Sequence, residues 1–199
     1  RAPAHGWARI RPWELRSAQT TASGGVRALF ALEHDGLSLL YEVGIGEELS
    51  LEVSLRNTGA APRTVEAALH TYLAVGDVTA VSITGLEGAR YSDRLTDEER
   101  VQDGPVRFSG RVDRIYRARG PVAVTDPASA RRIVVTGVRA PNAVVWNPWS
   151  RVAATMADLG EEWPSMVCVE SAAVRDRAVR LEPGESTSLG ARIGVEPLA

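Results

Sequence analysis

The sequence contains no lysine: all 23 of its basic residues are arginine. A Schiff-base mechanism and a P-loop both depend on a lysine amine, so neither chemistry is open to these residues. Any anion must be held by arginine, whose planar guanidinium suits phosphate oxygens, or by backbone N–H groups. Cysteine is equally scarce. The single thiol, Cys168, excludes an intrachain disulfide framework and a multi-cysteine zinc site, and points to a reducing compartment. No apolar run approaches the roughly 20 residues that span a bilayer, and the first residues lack the charged-then-apolar layout of a signal peptide. A soluble, cytoplasmic protein is the expectation. Net charge is small as well, 25 acidic residues against 23 basic, so no global field draws the chain to nucleic acid or to an anionic membrane. The three histidines, His5, His34 and His70, stand in no metal-binding spacing, and there is neither a Gly-x-Ser-x-Gly elbow nor a glycine-rich dinucleotide fingerprint. No metal and no cofactor are assigned.

Helical pattern is also sparse, and what replaces it is alternation. Short apolar-alternating runs at 27–33, 37–43, 49–57, 64–75, 80–86, 106–108, 113–116, 122–125, 132–138, 143–146, 166–173 and 186–195 read as strands. Turn signals such as His34-Asp35-Gly36, Asn57-Thr58-Gly59, Asp103-Gly104-Pro105 and Glu182-Pro183-Gly184 separate them, the punctuation of an all-β sandwich. One short helix is predicted over 150–159 and a single helical turn over 95–101. At 199 residues, one domain spanning 1–199 is expected.

Two polar residues stand out on these strands. In Glu66-Ala67-Ala68-Leu69-His70-Thr71-Tyr72-Leu73, alternation puts Ala68, His70 and Tyr72 on one face. Small and aromatic neighbours suit a substrate-facing histidine, since a pyranose needs both room and an aromatic surface; a core histidine hydrogen-bonded inside the sandwich fits the same local pattern. Glu170 shares a face with Met166 and Cys168 in an otherwise apolar strand, where a carboxylate must be paired, protonated or employed, unless it sits at a solvent edge. Trp146-Asn147-Pro148-Trp149 brings two indoles around an amide, readable as a sugar platform or as core plus turn. His34, just before a turn, reads as a surface residue and Cys168 as a packed small apolar residue.

The ordered string of motifs resembles the hexose-6-phosphate mutarotase (glucose-6-phosphate 1-epimerase) branch of the aldose 1-epimerase family nearly end to end. The residues carrying it are His5-Gly6-Trp7-Ala8-Arg9 with Trp13-Glu14-Leu15, Ala68-Leu69-His70-Thr71-Tyr72 with Val75-Gly76-Asp77, and Gly85-Leu86-Glu87-Gly88 with Tyr91 and Asp93. They continue with Val112-Asp113-Arg114-Ile115-Tyr116, Asn147-Pro148-Trp149, Met156-Ala157-Asp158 and Met166-Val167-Cys168-Val169-Glu170. The resemblance implies a galactose-mutarotase-like β-supersandwich, with this chain as the C-terminal two-thirds of a longer domain whose first strands it lacks. It implies exchange of the α and β anomers of a 6-phosphorylated aldohexose without a cofactor, so the expected partner is a small sugar or sugar phosphate. His70 matches the catalytic histidine and Glu170 the catalytic glutamate. Arg9 and Asp113 match substrate-binding positions, His5 opens the motif near the site, and Ala4 stands where some relatives place a polar substrate contact. Trp149 is expected to stack on the sugar ring.

Anomer exchange needs a base on the C1 hydroxyl and an acid on the ring oxygen. A carboxylate with an ordinary pKa of about 4.3 supplies the first, and an imidazole near 6.5, kept protonated by that carboxylate, supplies the second. A non-catalytic carbohydrate-binding sandwich and a structural interaction domain are the alternatives; the latter predicts His70 and Glu170 more than about 10 Å apart, beyond the span of one pyranose.

Overall fold

A computed structural model of the chain describes Pro3 and residues 5–198 and shows an all-β architecture. Four strands, β1 (Glu14–Thr20), β2 (Val26–His34), β3 (Leu37–Ile45) and β4 (Leu49–Asn57), form a meander of hairpins. Three short strands follow, β5 (Arg63–Val65), β6 (Ala67–Leu69) and β7 (Tyr72–Ala74). Then come β8 (Ser82–Thr84), β9 (Arg90–Asp93), β10 (Glu98–Val101), β11 (Val106–Arg107) and β12 (Val112–Tyr116). After β13 (Pro121–Asp126), β14 (Arg131–Val138) and β15 (Asn142–Asn147), the chain makes one short helix, α1 (Trp149–Ala153). It ends with β16 (Met166–Ala173), β17 (Val179–Leu181) and the long β18 (Ser186–Pro197).

The strands assemble into two large antiparallel sheets. The first runs β1-β2-β3-β4-β18-β14-β13-β8-β11, with the last strand of the chain inserted at its centre. The second runs β10-β9-β12-β15-β16-β6, with β7 also on β16, and β5 pairs separately with β17. Side chains of a strand alternate between faces, so Val167 and Val169 on β16, Val145 on β15 and Val112 on β12 point toward the first sheet. There they meet Ile83, Val124, Ile133 and Val135 in the main core. Val145 and Val167 are fully buried, each contributing about 1.5–3 kcal/mol. The same alternation leaves Asp113, Trp146, Cys168 and Glu170 on the opposite face of the second sheet. A smaller cluster of Leu32, Leu37, Leu39, Val53 and Leu55 covers β2–β4 and receives Trp7 and Trp13. Toward β1 this face loses its cover: Leu15, Val26 and Ile45 are all exposed.

Several sequence-based expectations change in detail. The run 64–75 is not one strand: β5 leaves to pair with β17, and β6 and β7 are separated at His70 and Thr71, where the Thr71 N–H turns back to the Leu69 carbonyl (2.9 Å). Both halves nevertheless pair with β16 in one continuous register, Leu69 opposite Ser171 and Tyr72 opposite Cys168, which puts His70 across from Glu170. Residues 95–101 form no helical turn; a turn with Asp97 at φ 56° leads into β10, which pairs with β9. The predicted 150–159 helix stops at Ala153. Strand β1 escapes prediction because Leu15 and Ala18 are its only apolar residues and almost every position is exposed at the sheet edge. The Gly85-Leu86-Glu87-Gly88 segment is a structural turn: Gly85 sits at φ 91°, and a Cβ there would lie 2.3 Å from the Pro121 carbonyl oxygen.

Candidate active site

Register and alternation bring the candidate residues to one face of the second sheet. Trp146 lies opposite both Cys168 on β16 and Asp113 on β12, and Tyr72 lies on the other side of Cys168. His70 Nε2 stands 3.5 Å from Glu170 Oε1, so the two side chains that a structural interaction domain would keep apart are in contact.

The segment before β1 reaches the same place. His5 and Gly6 adopt positive φ (59° and 70°), and the Gly6 N–H bonds the Pro3 carbonyl at 3.0 Å. Trp7 packs against His34 (4.5 Å between ring centroids), and Trp13 donates its indole N–H to the Ala8 carbonyl (3.0 Å). Anchored by these indoles, the segment sets the His5 ring 5.5 Å from His70 and puts Arg9 within electrostatic reach of His70 and Tyr72. Ala4 lies outside the described residues.

The electrostatics reverse the ordinary order of proton affinity in the pair. Glu170 is buried, and burial, reinforced by the negative charge of Asp113, pushes its carboxyl up to about 8. Burial pushes the His70 imidazole down, with His5 and Arg9 acting in the same sense and the residue's own backbone acting weakly against them. The expectation that a neighbouring carboxylate keeps His70 protonated therefore changes: Glu170 is itself too well buried to hold its charge, and in the free protein the proton sits on the acid. Asp113 is raised by burial too, against the pull of Arg111 and Arg94, and its carboxylate accepts from Arg111 at 3.4 Å. Cys168 is fully buried and its thiol is pushed far above the ordinary range by burial and by Glu170, which makes it a packing residue.

The Asn147-Pro148-Trp149 segment is committed elsewhere. Asn147 is fully buried; its amide donates to the Trp163 and Met166 carbonyls (both 2.9 Å) and accepts the Trp149 N–H (2.9 Å). Trp149, expected to stack on the sugar ring, turns through φ 60°, lies 4.6 Å from Trp163 and packs, partly buried, against the main core. The indole beside His70 is Trp146, at 5.7 Å and nearly perpendicular. Alternation from Trp146 to Asn147 to Pro148 carries the signal for this, but only the pairing of β15 with β16 shows which indole shares a face with Glu170. Asp158, in the turn after α1, is felt electrostatically at Tyr72. Among the described residues no cluster of His, Cys, Asp or Glu suited to a metal occurs, and no helix is long and apolar enough to cross a membrane.

This two-sheet all-β fold is galactose-mutarotase-like. A solved protein from Salmonella typhimurium, provisionally described as a mutarotase, superimposes with a TM-score of 0.88 at 27% identity, covering 98% of this chain and 68% of that one. The sequence profile described as aldose 1-epimerase matches residues 1–194, and the chain belongs to the aldose 1-epimerase family. Among its relatives is a protein of Cenchrus ciliaris that is 39% identical over 149 residues, 72% of this chain and 45% of the relative. An Escherichia coli K12 protein is 35% identical over 184 residues, 85% of this chain and 60% of the relative. Both are provisionally named glucose-6-phosphate 1-epimerase. The chain thus spans about half to two thirds of the length of these curated relatives.

Proposed function

We propose that the chain carries a hexose-6-phosphate mutarotase activity, with His70 and Glu170 as its proton-transferring pair. The observation that carries this reading is their 3.5 Å contact on a polar, partly open sheet face. The two oxygens that exchange protons in the reaction, the C1 hydroxyl and the ring oxygen, share one carbon, so the acid and the base must stand side by side.

In ring opening, Glu170 takes the C1 hydroxyl proton, the freed electron pair forms the C1 carbonyl, and the bond from C1 to the ring oxygen breaks. His70 gives its proton to that oxygen. Rotation about C1–C2 and the reverse transfers close the ring as the other anomer. The pair carries one proton throughout, held by His70 with the cyclic sugar and by Glu170 with the open aldehyde, and the raised affinity of Glu170 with the lowered affinity of His70 favours the transfer that opens the ring. Arg9 holds the phosphate or a hydroxyl from the rim near His5, Asp113 accepts hydroxyl protons, and Trp146 rather than Trp149 offers an aromatic wall. No cofactor is required. A reducing, cytoplasmic setting suits a protein with one buried thiol.

Exchange between glucose-6-phosphate anomers, followed by proton NMR, tests the reading. Wild-type protein is expected to accelerate exchange, and His70→Ala and Glu170→Gln to lower it by about 10²–10⁴-fold. No acceleration, or unchanged rates in both variants, overturns it. Arg9→Ala is expected to weaken glucose-6-phosphate more than glucose; equal weakening removes the phosphate role of Arg9.

A further inference from the structure

The orientation of the His70 imidazole is not explained by the residues given roles so far. A histidine in acid/base chemistry ordinarily has its second nitrogen tied to a carbonyl or carboxylate, which fixes ring plane and tautomer. His70 Nδ1 is buried and has no hydrogen-bond partner of good geometry among the described residues, the residue's own backbone being its one weak polar influence of that kind. Nor does regular strand structure hold the residue, because β6 and β7 part at His70 and Thr71.

Aromatic rings surround the imidazole instead. The Tyr72 ring lies on the imidazole face, 4.9 Å between centroids and 13° from parallel. Trp146 stands edge-on to both, 5.7 Å from His70 and 6.1 Å from Tyr72, and His5 closes another side at 5.5 Å. The stack follows from the register: residues 70 and 72 keep a common face across the gap, and Tyr72 is pinned opposite Cys168, itself opposite Trp146.

We propose that Tyr72 is a positioning residue for the mutarotase reaction: its ring face, in place of a hydrogen bond at Nδ1, sets the plane of the His70 imidazole and keeps Nε2 directed at Glu170 and the sugar ring oxygen. The inference rests on the mutarotase reading. Tilting the imidazole out of plane breaks the stack. A ring face also suits a group that must gain and lose a proton in each turnover. It packs against the imidazole in either protonation state, so the ring plane is held throughout the turnover.

The test compares wild type, Tyr72→Leu and Tyr72→Phe in glucose-6-phosphate anomer exchange, with the His70 ring resonances recorded as a function of pH. Tyr72 is half exposed, so leucine there leaves the core intact. Tyr72→Leu is expected to lower kcat by about tenfold or more with KM within about threefold, the signature of lost alignment rather than lost binding, and Tyr72→Phe to restore the rate. The His70 titration midpoint is expected to climb toward the ordinary histidine value in the leucine variant, as water reaches the uncovered face, and to stay put in the phenylalanine variant. A leucine variant with wild-type kcat, or a phenylalanine variant as impaired as leucine, overturns the proposal. If wild type itself exchanges no anomers, the mutarotase reading falls; the resonances still decide on the stack, and an unchanged His70 titration in Tyr72→Leu overturns it.

Discussion

Replacing Glu170 by glutamine separates what the acid costs the fold from what it does in the site. The amide has the shape of the protonated carboxyl but cannot ionise. In the folded chain the Glu170 carboxyl is raised from 4.5 to about 8, chiefly by burial. A raised acid contributes stability that is fully present below about pH 4.5 and is lost as pH climbs through about 8, since ionisation then has to occur in a buried position. At about 1.4 kcal/mol per pH unit the full span is roughly 3–5 kcal/mol, and the part lying between pH 6 and pH 9 is about 3 kcal/mol. Urea unfolding of wild type and Glu170→Gln across that range should therefore show the glutamine variant gaining about 3 kcal/mol on wild type toward pH 9. The contribution of His70 runs the other way, since its lowered affinity makes the fold gain stability as pH rises through the histidine range, and repeating the comparison in a His70→Ala background removes it. A stability difference that stays constant with pH would refute the argument, because it would mean that Glu170 titrates alike in the folded and unfolded chains. Activity should follow a bell in wild type, with an upper limb near 8 and a lower limb below the ordinary histidine value. Both limbs belong to the pair rather than to either residue, because each records the pair departing from a single shared proton.

Three further outcomes are expected. Asn147→Ala leaves the Trp163 and Met166 carbonyls without their donor and should cost about 2–4 kcal/mol in thermal or urea unfolding, with little direct effect on sugar binding. Gly85→Ala, at φ 91° against the Pro121 carbonyl, should destabilise by about 2–4 kcal/mol through forced backbone movement; a neutral result would show that the turn can relax. Cys168 should resist iodoacetamide at pH 8 in the folded protein and react readily in urea, as mass spectrometry of the alkylated chain would record.

The two faces that matter were legible from alternation alone. Met166, Cys168 and Glu170 fall on one side of β16 and Val167 and Val169 on the other, as the period of two requires. The contact between His70 and Glu170 was not legible, because it depends on the register of strands about a hundred residues apart, which local patterning leaves open. Trp146 and Trp149 were indistinguishable for a related reason: both flank a turn, and the hydrogen bonds of buried Asn147, which bend the chain there, come from β16 and the segment before it. The depressed affinity of His70 also lay beyond sequence, since it follows from burial and from His5 and Arg9, about sixty residues earlier, folded across the site. Strand β1 stayed invisible because an edge strand exposed on nearly every residue has no apolar period to display.

The uninterrupted register across the parting of β6 and β7 bears on how this protein can change in length. Surface turns elsewhere can gain or lose a residue at small cost. Between Leu69 and Tyr72 a single insertion or deletion would exchange the two faces on one side of the gap, turning either His70 inward or Tyr72 away from it. Two residues with no ladder hydrogen bonds, in what would pass for a loop, are thus as intolerant of length variation as the middle of a buried strand.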